Sequence, residues 1–339
     1  MKKVLIFKND RIGDLFTSTK ALKRIINKHY SDKIIIYFSH QNIKFSFLFP
    51  NIEKLIISMK LTLLEKIKIF LYFLTNRIEY VYILKPRNFY FILPFFFRNI
   101  KFYGVTIKQK NKNRPSLFLQ KFLFKKATID RTKIGKRRST YKIQEDLIEN
   151  INNDLVSLNY NIDYNPSFEL PNKYIYFHYK DKLFRNDLGW SFDLSIKFIE
   201  YISKFSNNLV FSSEINNEKI NTIFKKKFIT YDYNNKTIFN NNTNNKKIIF
   251  LKDIDGKDLY SAIKYSEKVI APEGMASHMA FFLKKEQLAL THYTFKNKDD
   301  YFDQLVSCKE WFPPKNFKFT VLKKDYQKSI NKINKRLVK

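Results

Sequence analysis

Short apolar runs alternate with segments of helical periodicity along most of this chain of 339 residues. In the first half, apolar residues recur at helical spacing over 15–26, 61–74 and 88–97, and the β-rich runs between these segments cover residues 4–7, 33–38, 54–58, 80–84 and 100–105. Apolar runs separated by helices are typical of parallel strands covered on both faces. The first half therefore predicts a doubly wound α/β sheet.

A second alternating series follows the Asn- and Asp-rich stretch 152–171, which predicts a linker. Its strand-like runs cover residues 174–178, 209–212, 248–251, 269–271 and 287–290, its helical segments cover 194–203, 214–227, 257–265 and 276–283, and the Asn-rich stretch 233–247 reads as a loop. We expect one Rossmann-like domain over 1–155, a second over 172–322, and a last helix over 323–339 whose crossing back to the first domain stays open. Two such halves facing a central cleft form the expected architecture.

The charge balance limits the partners. The formal net charge is +32, but lysines greatly outnumber arginines and are spread along the whole chain. Nucleic-acid recognition usually relies on clustered arginines, so we do not expect a nucleic-acid partner. An anionic membrane surface or a phosphorylated substrate fits this charge better. Basic residues gather between residues 106 and 140, and we interpret that segment as a surface excursion of the first domain.

Targeting signals and cysteine chemistry are not expected. The start MKKVLIF runs directly into charged residues, and no apolar run approaches the about 20 residues that span a bilayer. Cys308 is the one cysteine, which excludes an intramolecular disulfide and argues against a zinc site. The apolar segment 89–97, flanked by Arg87, Arg98 and Lys101, fits either a buried crossover helix or a contact with the membrane interface. We expect a cytoplasmic protein, in peripheral contact with the cytoplasmic face of an anionic inner membrane.

Glycine is informative because the chain has only six. Gly13 and Gly274 each lie between a predicted strand and a predicted helix, at the sheet edge where α/β proteins bind ligands and where helix N-termini attract anions. Either glycine could serve only to make a tight turn. In the first of these loops, Asp10, Arg11 and Gly13 precede Asp14. Asp14 is predicted either to cap the helix or to act as a general base towards an attacking hydroxyl.

Two motifs resemble glycosyltransferase family 9, the ADP-heptose:lipopolysaccharide heptosyltransferases and their relatives. VLIFKNDRIGDLFTSTKALKRI is similar to the opening of that family, and KDLYSAIKYSEKVIAPEGMASHMAFFLKK is similar to its C-terminal signature. They occur in the family's order, about 260 residues apart. The resemblance implies the two-domain GT-B fold and metal-independent, inverting transfer of a sugar, by default heptose, from a nucleotide-diphosphate donor. The implied acceptor is the lipopolysaccharide core or another surface glycan, and no cofactor is implied.

The resemblance also assigns roles to residues. Asp14 matches the family's catalytic base, with Asp10, Arg11 and Gly13 beside it on the acceptor side. Glu273 matches the acid that contacts the donor sugar. The turn and helix start beneath the donor diphosphate correspond to Gly274, Met275, Ala276, Ser277 and His278. A basic residue near the leaving diphosphate corresponds to Lys180, Lys182 or Arg185, and the sequence does not choose among them.

Two departures from the family pattern lie on the donor side. Glu273 stands where the family usually has Asp, and Leu188-Gly189-Trp190 replaces a basic residue followed by Trp. Both leave the identity of the nucleotide sugar open. The alternative to an enzyme is a non-catalytic basic protein of the same fold that binds a membrane surface or nucleic acid. A Rossmann oxidoreductase is disfavoured because no G-x-G-x-x-G follows any predicted strand.

Overall fold

A computed structural model describes residues 2–109, 114–132, 139–148, 162–213, 218–233, 247–292 and 318–337, together with the backbone of 237–239. The chain divides into two units, the first containing the described residues up to 148 and the second those from 162 onwards. The predicted boundaries at 155 and 172 flank a stretch that is described only from residue 162, so they stay predictions. Cys308 also lies outside the described residues.

The first unit contains a sheet of six parallel strands. The strands are β1 (Lys3–Lys8), β2 (Lys33–Phe38), β3 (Glu53–Ile56), β4 (Ile78–Ile83), β5 (Lys101–Lys108) and β6 (Lys125–Asp130), in the order β3-β2-β1-β4-β5-β6. The helices are α1 (Ile12–Lys28), α2 (Leu63–Thr75), α3 (Asn88–Phe96), α4 (Leu117–Gln120) and α5 (Thr140–Glu145), and a 3₁₀ turn covers Asn42–Leu48. The strand order reverses at β1: β2 and β3 lie on one side of it, and β4, β5 and β6 lie on the other. Ligands bind at such switch points.

Packing in the first unit follows the apolar runs. Ile69 and Phe73 of α2, with Tyr90, Phe91 and Leu93 of α3, join the inner residues of β1, β2, β4 and β5 in one buried cluster. Helix α2 begins with a capping box in which Thr62 accepts from the Glu65 amide and the Glu65 carboxylate accepts from the Thr62 amide. Local capping and burial of one helix face thus agree on where α2 starts and how it lies.

The second unit contains a sheet of eight strands. The strands are β7 (Ile175–His178), β8 (Asn208–Ser212), β9 (Ile229–Asp232), β10 (Thr237–Phe239), β11 (Lys247–Lys252), β12 (Lys268–Pro272), β13 (Glu286–Thr291) and β14 (Lys318–Val321). Their order is β10-β9-β11-β8-β7-β12-β13-β14, and β10 alone is antiparallel to its neighbour. The helices are α6 (Phe192–Ile202), α7 (Glu218–Lys227), α8 (Gly256–Lys264), α9 (Met275–Phe282) and α10 (Tyr326–Leu337), and a π-helical turn covers Lys182–Asp187.

Two sequence-based expectations are corrected. The basic segment 106–140 is not only a surface excursion, since it supplies β6, an edge strand that buries Ala127 and Ile129. The predicted loop 233–247 contains the short β10. The last helix, α10, contributes Ile330 and Ile333 to the core of the second unit. Trp190 helps to hold that helix, donating from Nε1 to the Lys324 carbonyl at 2.8 Å and packing on Tyr326.

Among the described residues, none of the helices combines the length and apolar character that crossing a bilayer requires.

Candidate functional site

A buried ion pair shapes the loop that follows β1. Lys8 is the last residue of β1, and its Nζ lies 2.8 Å from Asp10 Oδ2, with both side chains at most 2% exposed. Asn42 donates from Nδ2 to the Lys8 carbonyl at 2.7 Å and to Asp10 Oδ1 at 3.4 Å. Burial raises the pKa of Asp10, against the opposing effect of Lys8. Asp10 is too deeply buried to contact a ligand and instead fixes the loop.

Asp14 is the accessible carboxylate of this edge. Its side chain is 22% exposed, and its Oδ2 accepts from Lys85 Nζ at 3.2 Å. The same ammonium lies 3.9 Å from Asp10 Oδ2. Lys85 follows β4, which pairs in parallel with β1, so both loops leave the same edge of the sheet. The result is a partly exposed carboxylate held by a cation from the neighbouring strand.

The alternative capping role for Asp14 is wrong. Helix α1 begins at Ile12, so Arg11 is its N-cap, and the exposed Arg11 side chain makes no capping hydrogen bond. Asp14 is the third helical residue, where a carboxylate is favoured by the helix dipole but is not needed as a cap. Gly13 is the second helical residue and has no positive φ, so no backbone strain requires glycine there.

In the second unit, the turn from β12 into α9 is built around Gly274. Gly274 has φ 144° and ψ −150°, a conformation that residues with a side chain rarely adopt. It is the N-cap of α9 and has no side chain with which to cap the first turn. Ser277 Oγ accepts from the Gly274 amide at 3.1 Å. Amides of the first turn point out of a helix, so this N-terminus is suited to bind an anion.

Lys180 brings a cation to this turn. It follows β7, which pairs in parallel with β12, so Lys180 and Gly274 leave neighbouring strands at the same sheet edge. A Cβ on Gly274 would lie 3.9 Å from Lys180 Nζ. The ammonium and the N-terminus of α9 therefore lie together, and both attract negative charge.

Lys182 is exposed, and Arg185 contacts other residues. Lys182 is exposed at the start of the π-helical turn. The Arg185 guanidinium lies 4.4 Å from the centre of the Phe192 ring, and its Nε lies 3.8 Å from Asp181 Oδ1. Of the three basic residues that the sequence proposed, Lys180 is the one that the fold places against Gly274.

The residues around Gly274 differ in what they can offer a ligand. Glu273 and Met275 are partly exposed, whereas the side chains of Ala276, Ser277 and His278 are buried. His278 Nε2 lies 3.7 Å from Glu273 Oε1. Glu273 thus presents a partly exposed carboxylate close to a buried histidine, while Ala276 and Ser277 can offer a ligand backbone amides rather than side chains.

His178 is part of this edge, and the sequence did not single it out. It ends β7, its Nδ1 lies 3.0 Å from Ser212 Oγ, and Ser212 Oγ also bonds the Tyr176 hydroxyl. Burial, with a smaller contribution from the neighbouring Lys180, lowers the pKa of His178 to about 4. The imidazole is therefore neutral at physiological pH, two residues from the cation.

Lys85 and Asn42 were also missed as site residues. Lys85 directly follows an apolar run, and a polar residue at that position is the usual signal of a sheet-edge loop. The sequence does not show that the strand before Lys85 pairs with the strand before Asp10. The site is thus assembled by strand order, which local patterns do not give.

Comparisons with known proteins establish the fold. No family model matches the chain, and no curated protein matches it by sequence. Among solved structures, the E. coli heptosyltransferase WaaC with ADP-2-deoxy-2-fluoro heptose aligns with a TM-score of 0.62 at 10% identity, covering 99% of both chains. A glycosyl transferase of family 9 from Veillonella parvula aligns at 0.58 and 13% identity, covering 100% of this chain and 89% of its own.

An enzyme of another kind shares this fold. A putative UDP-N-acetylglucosamine 2-epimerase from Listeria monocytogenes aligns with a TM-score of 0.58 at 11% identity, covering 100% of this chain and 89% of its own. At these identities the likeness shows the fold alone. The expected two-domain α/β architecture of the GT-B type is confirmed, and the reaction has to be argued from the site.

Proposed function

We propose that this chain is a glycosyltransferase that takes a sugar from a nucleotide-diphosphate donor. The observation that carries the proposal is the position of Lys180 Nζ against Gly274 at the uncapped N-terminus of α9. An ammonium and a helix N-terminus together suit a diphosphate, whose negative charge grows as it leaves the sugar. In this proposal they replace a metal ion as the counter-charge.

The proposed step is a displacement at the anomeric carbon of the sugar. The acceptor hydroxyl oxygen forms a bond to that carbon while the carbon–oxygen bond to the diphosphate breaks. The bonding electron pair leaves with the nucleoside diphosphate, and the hydroxyl proton passes to the Asp14 carboxylate. Attack opposite the leaving group inverts the anomeric configuration. Asp14 is partly exposed, as a base must be to reach a substrate hydroxyl.

The donor-side roles follow from exposure. In this proposal Glu273, whose side chain is partly exposed, accepts hydrogen bonds from sugar hydroxyls. The amides of Met275, Ala276 and Ser277 face the diphosphate. Family likeness makes heptose on ADP the default donor, and a lipopolysaccharide core or another surface glycan the default acceptor. Contact with the cytoplasmic face of an anionic inner membrane belongs to the same proposal.

The non-catalytic alternative would be favoured by positive charge on one continuous face away from the cleft, together with an Asp14 buried in a salt bridge. Asp14 does pair with Lys85, but 22% of its side chain stays exposed, so the carboxylate is available to a ligand. This favours the enzyme.

A thermal-shift screen tests the donor site. Wild type is heated with ADP, GDP, UDP, CDP or dTDP, alongside Lys180→Ala and the matched control Lys182→Ala. A ligand at about 100 times its Kd stabilises the folded state by about 2.7 kcal/mol. We expect one diphosphate to raise the Tm of wild type and Lys182→Ala and to lose most of its effect on Lys180→Ala. If no diphosphate shifts the wild type, the donor site does not exist.

Product analysis separates transfer from epimerisation. A transferase releases free nucleoside diphosphate only when an acceptor takes the sugar, whereas an epimerase converts one nucleotide sugar into another without an acceptor. We expect diphosphate release that depends on added glycan acceptor. Conversion of the nucleotide sugar into an isomer without any acceptor would reject the transferase.

A further inference from the structure

Helix α2 carries apolar residues on its outer face as well as on its inner face. Ile69 and Phe73 are buried in the core. On the opposite side lie five exposed residues spaced three or four apart after the first pair: Leu63 (72% exposed), Leu64 (70%), Ile67 (46%), Leu71 (51%) and Leu74 (61%). A surface helix normally places polar residues there, so this stripe is not explained by the packing of the first unit.

The stripe continues across α3 and α4. Ile92, Phe95 and Phe96 of α3 are exposed, as are Leu117, Phe118 and Phe124 at and after α4. Ring contacts connect the three elements. Phe70 of α2 lies 5.6 Å from Phe96, and Phe95 lies 5.2 Å from Phe122 and 6.3 Å from Phe118. We call these exposed residues of α2, α3 and the α4 region the apolar face.

Segment 89–97, interpreted either as a crossover helix or as a membrane contact, has a buried side and an exposed side. Tyr90, Phe91, Leu93 and Pro94 are buried, as expected of a crossover helix, while the outer side of the same helix belongs to the apolar face. In the described part of the second unit, by contrast, Tyr265 is the single exposed large apolar side chain, at 39%. Exposure of apolar surface is therefore concentrated on one side of the molecule's first sheet.

Positive charge surrounds the apolar face. The Arg98 guanidinium lies 5.8 Å from the Phe95 ring and 5.7 Å from Phe122, and Lys101 Nζ lies 5.6 Å from Phe124. Lys68, Lys121 and Lys126 are exposed. Between residues 60 and 126 the sequence has fifteen lysines and arginines but only two acidic residues.

Both of those acids are already engaged. Glu65 accepts from the Ser58 and Thr62 amides at 2.7 Å each, and Glu79 pairs with Lys2 at 3.0 Å. Both acids are thus engaged elsewhere and do not neutralise Arg98 and Lys101 beside the apolar face.

We propose that the apolar face is a docking surface for an anionic lipid bilayer. Apolar side chains enter the boundary between headgroups and acyl chains, while the neighbouring lysines and arginines are attracted to anionic lipid. A second copy of the chain is a poorer occupant, because a two-fold contact through this face would set two positive borders against each other. The surface rests on the membrane contact of the proposed function but is separate from the donor site, so loss of vesicle binding and loss of nucleotide binding are told apart.

Vesicle co-sedimentation tests the surface. The full chain is mixed with vesicles of phosphatidylcholine alone or with an equal part of phosphatidylglycerol. The variants are Leu64→Glu/Leu71→Glu and, as a matched control, Tyr30→Glu, which changes a residue that is 87% exposed and lies outside the apolar face. We expect wild type and Tyr30→Glu to bind the anionic vesicles and to lose binding in high salt. The double variant should bind more than about tenfold more weakly.

Several outcomes would overturn the proposal. One is equal binding of wild type to both vesicle types, and another is binding by the double variant equal to that of wild type. A third is no vesicle binding together with a wild-type dimer that the double variant abolishes. The last result would assign the face to a second copy. Because the substituted side chains are exposed, both variants should melt like wild type. A thermal melt checks this before binding is compared.

Discussion

The two sheets have the same backbone arrangement at their carboxyl edges but place different charged groups there. In each unit a strand leads through a short turn into a helix, and the neighbouring strand delivers a lysine: Lys85 beside Asp14 in the first, Lys180 beside Gly274 in the second. In the first unit Lys8 pairs with the carboxylate of Asp10, and Lys85 pairs with that of Asp14. In the second, the nearby acids Asp181 and Glu273 face Arg185 and His278, so Lys180 lies against a glycine and a helix N-terminus.

The same backbone arrangement can therefore supply either a base or a site for a diphosphate. A carboxylate paired with an ammonium stays ionised and is held in place, so it can accept a proton from a substrate. A cation at a helix N-terminus gives concentrated positive potential, which suits a diphosphate. If the comparison is right, changes at the first edge should affect catalysis or folding, and changes at the second should affect anion binding.

The largest expected effect is that of Asp14→Asn. The amide keeps the shape of the side chain and loses the base, so turnover should fall about 10²–10⁴-fold. Binding of the nucleoside diphosphate should stay unchanged, because that site is built from the second unit. Steady-state kinetics and calorimetry measure the two quantities. Turnover within a few-fold of wild type would remove Asp14 from the mechanism.

Lys8→Met should destabilise the first unit, because it leaves the buried Asp10 without its closest cation. Breaking a buried pair from one side costs about 3–5 kcal/mol. The pKa of Asp10, already raised by burial, should rise further. An acid with a raised folded-state pKa loses stability as pH rises above its unfolded value, so the deficit should be larger at about pH 7 than at about pH 4.

Urea unfolding at the two pH values measures this loss, and Lys8→Met/Asp10→Asn should recover much of it. A single variant as stable as wild type at neutral pH would show that the pair does not hold the loop.

His178 should make the second unit less stable in acid. Its pKa is about 4 in the folded chain against 6.5 for the free side chain. The unfolded chain therefore binds more protons over that range, and about 3 kcal/mol of stability should be lost as pH falls from 6.5 to 4. His178→Asn should lose less over the same range in a pH series of thermal melts. An equally steep loss in the variant would place the titrating group elsewhere.

Gly274→Ala should have the smallest effect, through backbone strain at φ 144°. We expect a loss of about 2–3 kcal/mol in the free energy of unfolding, together with weaker nucleotide binding. Gly189→Ala is the matched control, since Gly189 has φ 69° with open space around its Cβ position and should cost only about 1 kcal/mol. Equal losses in chemical denaturation would mean that the turn at Gly274 is not specially constrained.

Much of the fold follows from local pattern. Residues 33–38 were predicted as a strand and form β2 over the same residues, because continuous apolar runs mark strands buried on both faces. The edge strands β6 and β14 and the interior strand β9 were not predicted. In β6 the buried Ala127 and Ile129 alternate with more exposed residues, and so short a pattern resembles a loop.

The site was predictable only in part. Asp14 and Gly274 follow strands directly, and their positions together with the family resemblance identified them. Lys85, Asn42 and His178 were missed because their roles depend on which strands are neighbours. Choosing Lys180 from three basic residues likewise needed the pairing of β7 with β12. Contacts between segments distant in sequence are set by topology, which periodicity does not encode.

The account assigns the base to the first unit and the diphosphate to the second. The most direct test is a calorimetric titration of the stabilising nucleoside diphosphate into wild type, Asp14→Asn and Lys180→Ala. Loss of a hydrogen bond to a charged group costs about 1.5–3 kcal/mol, so Lys180→Ala should bind about 10–100-fold more weakly. Asp14→Asn should bind like wild type. Wild-type affinity in Lys180→Ala, or a comparable loss in Asp14→Asn, would contradict the assignment of the diphosphate to the second edge alone.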